Sequence, residues 1–103
     1  MSAVHEHLRH QQAVLATIAE ARVETLPPRV LSALTAAADE LLDPTTLPEL
    51  LPLTHPAAQN PQQALGDVVT CLREAIPVVD APTALACGRA IRYLVDAQSM
   101  WPE

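Results

Sequence analysis

The chain contains no lysine, no phenylalanine and only two glycines. Each absence removes a chemistry. Without lysine there is no Schiff-base amine and no phosphate-binding lysine of the Walker type. Two isolated glycines, Gly66 and Gly88, cannot build a glycine-rich phosphate loop. Aromatics are nearly missing, with Tyr93 and Trp101 the only two. Cations are scarce as well: six arginines face twelve acidic residues, for a formal net charge of −6. Such a chain is poorly suited to a nucleic-acid backbone, whose counterions are released only where cations cluster. No apolar run approaches the roughly 18 residues that would suggest a membrane span. The segment from Met1 to His7 lacks the basic and apolar regions of a signal peptide. A cytoplasmic protein is expected, with Cys71 and Cys87 as reduced thiols. Exclusive use of arginine with abundant alanine suits a GC-rich bacterial genome.

What is present is apolar and rich in proline. Half of the 103 residues are hydrophobic and ten are Pro. Residues 1–103 read as one domain. Prolines and capping residues divide them into four predicted helices. The first runs from Ser2 to about Glu24. After Thr25-Leu26-Pro27-Pro28 the second runs to about Asp43, before Pro44. Pro44, Pro48, Pro52 and Pro56 then recur every four residues and exclude a continuous helix. Leu47, Leu50, Leu51 and Leu53 argue against a solvated linker. An extended crossover is expected, with one helical turn at Pro48 to Leu51 and leucines closing one end of the core. Asn60-Pro61-Gln62-Gln63 reads as an N-cap, a first-turn proline and a capping box. It opens a third helix that ends near Ile76. Asp80 caps a fourth, with Pro82 in its first turn, running to about Ser99. The expected fold is all-α: a four-helix bundle with a long Pro/Leu-rich crossover between helices two and three.

The helical wheels separate ordinary helices from unusual ones. In the second helix Val30, Leu34, Ala37, Ala38 and Leu41 share one face. In the third, Leu65, Val68, Val69, Leu72, Ala75 and Ile76 do so. The fourth is apolar around most of its circumference, its polar wedge holding only Arg89, Arg92, Asp96 and Ser99. A helix of that kind is either covered by its own chain or meets a second one. Self-association, or binding of a partner protein, is therefore expected through this helix. Ala86, Ala90 and Ala97 would permit close approach beside Tyr93, with Arg89, Arg92 and Trp101 as further interface candidates. Arg92 and Asp96 have the spacing of a helical ion pair, and Arg89 can stack on Tyr93.

The first helix carries polar residues within its apolar stripe of Val4, Leu8, Val14, Leu15, Ile18 and Ala21. These are His7, Gln11 and Arg22. Polar groups are costly to bury without partners. Arg22 could hold a carboxylate oriented by His7 and Gln11; alternatively, each reaches water at the edge of the stripe. Thr17 falls on the wet side with Glu6, Arg9, Glu20 and Glu24. His5, His7, His10 and His55 do not fix a tetrahedral metal site, so no metal and no cofactor is expected. Neither cysteine has a base nearby in sequence, so both read as inert thiols. The Asp-Ser-Leu attachment site of acyl carrier proteins has no counterpart, Asp39-Glu40-Leu41 lacking the serine. The expected function is non-catalytic: an interaction or accessory module, most simply a homodimer. The alternative is a small-ligand-binding protein or small helical enzyme with its site at His7, Gln11 and Arg22.

Overall fold

The computed structural model describes residues 3–41, 50–52 and 54–101. Among them there are five α-helices, one 3-10 turn and no strand. The helices are α1 (Ala3–Ala21), α2 (Pro28–Leu41), α3 (Pro56–Gln59), α4 (Pro61–Ala75) and α5 (Ala81–Met100). The 3-10 turn, Ile76–Val78, links α4 to α5. No helix among the described residues is long and apolar enough to cross a membrane.

Local chemistry sets the ends of these elements. After α1 the carbonyl of Arg22 accepts from the N–H groups of Thr25 and Leu26, at 3.0 and 2.9 Å. That tight turn buries Leu26 and delivers Pro28 to the start of α2. Pro77 allows only the 3-10 turn after α4. Asp80 precedes α5, and the Thr83 hydroxyl donates to its carboxylate at 2.6 Å. This bond holds the exposed Asp80 carboxyl below its ordinary pKa.

Two features of the central connection differ from the sequence expectation. The four-residue α3 was not anticipated. His55 caps it, its Nδ1 accepting from the Ala57 N–H at 3.0 Å, and Pro56 fills the first helical position. The capping box at Asn60 does not form. Asn60 ends α3 as well as opening α4, and its backbone N–H is committed to the Pro56 carbonyl at 2.7 Å. Its side chain makes no cap bond, and Gln63 donates instead to Asp67, one turn on, at 3.2 Å. Of the helical turn expected at Pro48 to Leu51, Pro48 and Glu49 lie outside the described residues and Leu50 and Leu51 are not helical; the Ser2 cap also lies outside them.

Among the described residues, α1 packs against α2 and α4, and α5 packs against the same two helices, most extensively α2. The diagonal pairs α1–α5 and α2–α4 do not approach at backbone distance, while α3 packs against α1 and α4. Leu15, Ile18, Val30, Leu34, Leu65, Val68, Leu72 and Leu94 form the centre of the core. The apolar faces of α2 and α4 turn inward.

The face of α1 is corrected in three places. His7 and Ala21 are exposed, whereas Thr17 is buried. The physical reason is that the middle of α1 is covered on more than one side. Gln11 to Leu15, Thr17 and Ile18 are all buried. Part of that cover is the connection itself, because the Leu51 N–H donates to the Thr17 hydroxyl at 2.9 Å. The same hydroxyl donates to the Ala13 carbonyl at 2.7 Å, so Thr17 both donates and accepts. Gln12 reaches α2 and donates to the Ala38 carbonyl at 3.3 Å, leaving its Oε1 buried without a partner.

Candidate functional site

His7, Gln11 and Arg22 do not form one site. Fifteen residues separate His7 from Arg22, and at a rise of about 1.5 Å per residue that is roughly 22 Å of helix. His7 is exposed near one end of α1, Gln11 is buried in its middle, and Arg22 lies just past its other end. The shared stripe was a true feature of the wheel, but a wheel carries no information about distance along the axis.

Arg22 belongs to a different constellation. It lies where three parts of the chain meet, and a cleft of about 390 Å³ opens there. Arg22, Thr25 and Leu26 contribute from the turn after α1. Gln59, Asn60, Pro61 and Gln62 contribute from the junction of α3 and α4, and Trp101 from the end of α5. A smaller hollow of about 190 Å³, lined by Gln62, Leu65, Gln98 and Trp101, adjoins it through Gln62 and Trp101. Leu26 and Pro61 are buried, and Trp101 is half-buried against the core. The Nε of Arg22 is buried and has no hydrogen-bond partner among the described residues. Trp101 reads from the sequence either as folding back onto the bundle or as an anchor for a partner; it lines this cleft, packed against the core. Asn60 and Gln62 were read only as a helix start. Nothing local in the sequence shows that they would meet Arg22.

The histidines give a partial result. His10 and His55 meet edge to face with ring centroids 6.2 Å apart. Nδ1 of His55 is already occupied in capping α3. Among the described residues no group of three metal-binding side chains comes together.

The outer side of α5 is the second notable surface. The helix buries only Cys87, Ala90, Leu94 and Ala97. Ala90 and Ala97, expected at a contact between chains, are fully buried in the chain's own core. Their small size brings α5 close to its neighbours α2 and α4 instead. Leu85 is 65% exposed, Val95 41% and Tyr93 38%. Arg92 and Asp96 are exposed and Ala86 is half-buried. Arg89 pairs with Glu40 of α2 at 2.9 Å, the only ion pair among the described residues, so neither the Arg89–Tyr93 stack nor an Arg92–Asp96 bridge takes its place. Gly88 is exposed in mid-helix, and a Cβ placed on it would meet none of the described residues within 4 Å. Leu85 and Gly88 were not among the residues singled out on this helix from the sequence.

Both thiols are pushed above their ordinary pKa. Burial does this for Cys87; for Cys71 burial comes first, followed by the negative charges of Glu74 and Asp67. Comparison of the chain with protein families, with curated proteins and with solved structures returns no match.

Proposed function

We propose that this chain is a non-catalytic interaction module that works as a homodimer through the outer side of α5. In this reading the four long helices form a bundle, and the connection between α2 and α4 crosses from one corner to the opposite one.

The observation that carries the reading is Gly88. A glycine inside an exposed helix costs about 1 kcal/mol relative to alanine. No neighbour among the described residues calls for the missing side chain. Leu85 and Val95 flank it on the wheel, and both are exposed. A helix from another molecule laid across Gly88 would recover the cost by close approach and by covering these side chains. An antiparallel two-fold pairing centred near residue 90 sets Leu85 of one copy against Val95 of the other, twice. Charge favours a second copy over an oppositely charged partner. This face carries one arginine, Arg92, with Asp96 at its edge, so the chain's net charge of −6 lies elsewhere. Both thiols are held protonated by burial, which suits a protein that binds rather than reacts.

Sedimentation equilibrium from about 1 to 200 µM spans the affinities of ordinary reversible dimers. A monomer–dimer equilibrium is expected, abolished by Leu85→Glu and by Gly88→Leu with helicity unchanged. A strict monomer across that range overturns the proposal.

A further inference from the structure

We propose that the cleft at Arg22 binds a small organic monoanion, a carboxylate on a flat or apolar body. The inference stands independently of pairing through α5.

The starting point is the buried Nε of Arg22. A guanidinium N–H removed from water without an acceptor is expensive, and native proteins leave few such groups unmet. Here the side chain that carries the unmet donor lines a cleft of about 390 Å³, a size at the small end of ligand-binding cavities. The guanidinium is planar and presents adjacent N–H donors, which match the two oxygens of a carboxylate.

The opposite wall adds to the same preference. Asn60, Pro61 and Gln62 are the cap and first turn of the fifteen-residue α4. Pro61 has no N–H, and the Asn60 side chain makes no cap bond, so the first-turn donors are left to another acceptor. The positive end of the α4 dipole favours negative charge there. Thr25 and Gln59 add polar groups to the lining, and Leu26, Pro61 and the Trp101 indole supply the apolar surface on which the body of the ligand would rest. One arginine balances one negative charge. A phosphate dianion would ask for more cations than the cleft supplies, and a neutral ligand would leave the charge of Arg22 unmatched.

Trp101 is the only tryptophan in the chain, so its emission reports on the cleft directly. The test is a titration of the full chain with benzoate, with benzyl alcohol and inorganic phosphate as comparison probes. The Arg22 Nε–H resonance is followed by NMR in parallel. Benzoate is expected to change Trp101 emission saturably and to shift that resonance, while benzyl alcohol does neither. Arg22→Gln is expected to weaken benzoate binding about ten- to a hundredfold, the range for hydrogen bonds to a charged group. Arg22→Lys keeps the charge and loses the fork, and is expected to fall between the two. Circular dichroism establishes that each variant is folded. No saturation by about 20 mM benzoate, beyond which a cleft this size has no useful affinity, overturns the proposal. So does equal binding by a folded Arg22→Gln chain, or tighter binding of phosphate than of benzoate.

Discussion

α1 and α5 depart from the pattern of apolar inside and polar outside in opposite directions. In the middle of α1 the polar residues Gln11, Gln12 and Thr17 are buried. On α5 the apolar residues Leu85, Tyr93 and Val95 are exposed. Both helices pack against α2 and α4, so position in the fold does not separate them. What separates them is a third layer. α1 also contacts α3 and receives the chain at Leu51, whose N–H is accepted by the buried Thr17 hydroxyl, while the buried Gln12 amide donates to α2. Among the described helical elements, α5 has only the short turn Ile76–Val78 besides its two helical neighbours. A helix covered by connecting chain needs polar handles to meet the backbone groups of that chain. A helix without such cover keeps its apolar excess on the surface.

The comparison is sharpened most by deleting the same atoms on each helix. Leu15 of α1 is completely buried, so Leu15→Ala is expected to cost about 2–5 kcal/mol in urea unfolding. Leu85→Ala on α5 is expected to change the stability of the dilute protein by no more than about 0.5 kcal/mol. A large cost for Leu85→Ala that does not depend on protein concentration would show that α5 is covered by its own chain.

The next effect tests the polar handles of α1. Thr17→Val removes the acceptor of the Leu51 N–H, at an expected cost of about 1–3 kcal/mol. Hydrogen exchange at the Leu51 amide is expected to accelerate. Gln12→Leu behaves differently, because one of its two polar atoms is already buried without a partner. Replacing an imperfectly paired polar group with an apolar one of similar size is expected to be neutral within about 1 kcal/mol, or stabilising. Equal losses at both positions would mean that the polar atoms matter less than the shape they fill.

Much of the fold was legible because it is written in prolines and stripes. Pro28, Pro61, Pro77 and Pro82 mark the helix ends to within a few residues. The inward faces of α2 and α4 follow from spacing alone, with Val30, Leu34, Leu65 and Val68 all buried. The face of α1 was misread at Thr17 because a wheel assumes one buried side, whereas this helix is covered on several. α3 was missed although His55-Pro56 carries its signal, a capping side chain followed by proline. The grouping of His7 with Arg22 failed on helix rise, which the sequence alone would have revealed. The meeting of Arg22 with Asn60, Gln62 and Trp101 was not legible at all. It depends on how three chain ends converge, and no local pattern encodes that.

The thiols distinguish the inside of α5 from the surface of α4. Cys87 is completely buried and Cys71 partly so. A disulfide reagent is therefore expected to label Cys71 slowly in the folded protein and Cys87 only on unfolding. Their raised pKa values also set a pH dependence. The folded chain holds these protons more tightly than the unfolded one. The contribution is complete below the unfolded-state pKa, near the ordinary thiol value of about 8.5, and is lost as pH rises through the folded value. Stability is thus expected to decline in alkali, and less steeply in Cys87→Ala than in the parent chain. An unchanged slope would mean that Cys87 reaches solvent.

The smallest expected effect bears on the outer side of α5. Arg89 and Glu40 form the one ion pair between α5 and α2, with side chains 57% and 27% exposed. Water and salt reach such a pair, so a double-mutant cycle with Arg89→Gln and Glu40→Gln is expected to give a coupling below about 1 kcal/mol. That coupling is expected to shrink further in high salt. Its dependence on protein concentration is the informative part. Pairing of two copies along α5 would cover the flank on which Arg89 lies and strengthen the coupling as the dimer fills. A coupling that stays small at every concentration would place Arg89 in water throughout, and any contact between copies would then have to centre on Leu85, Gly88 and Val95 without reaching the arginine.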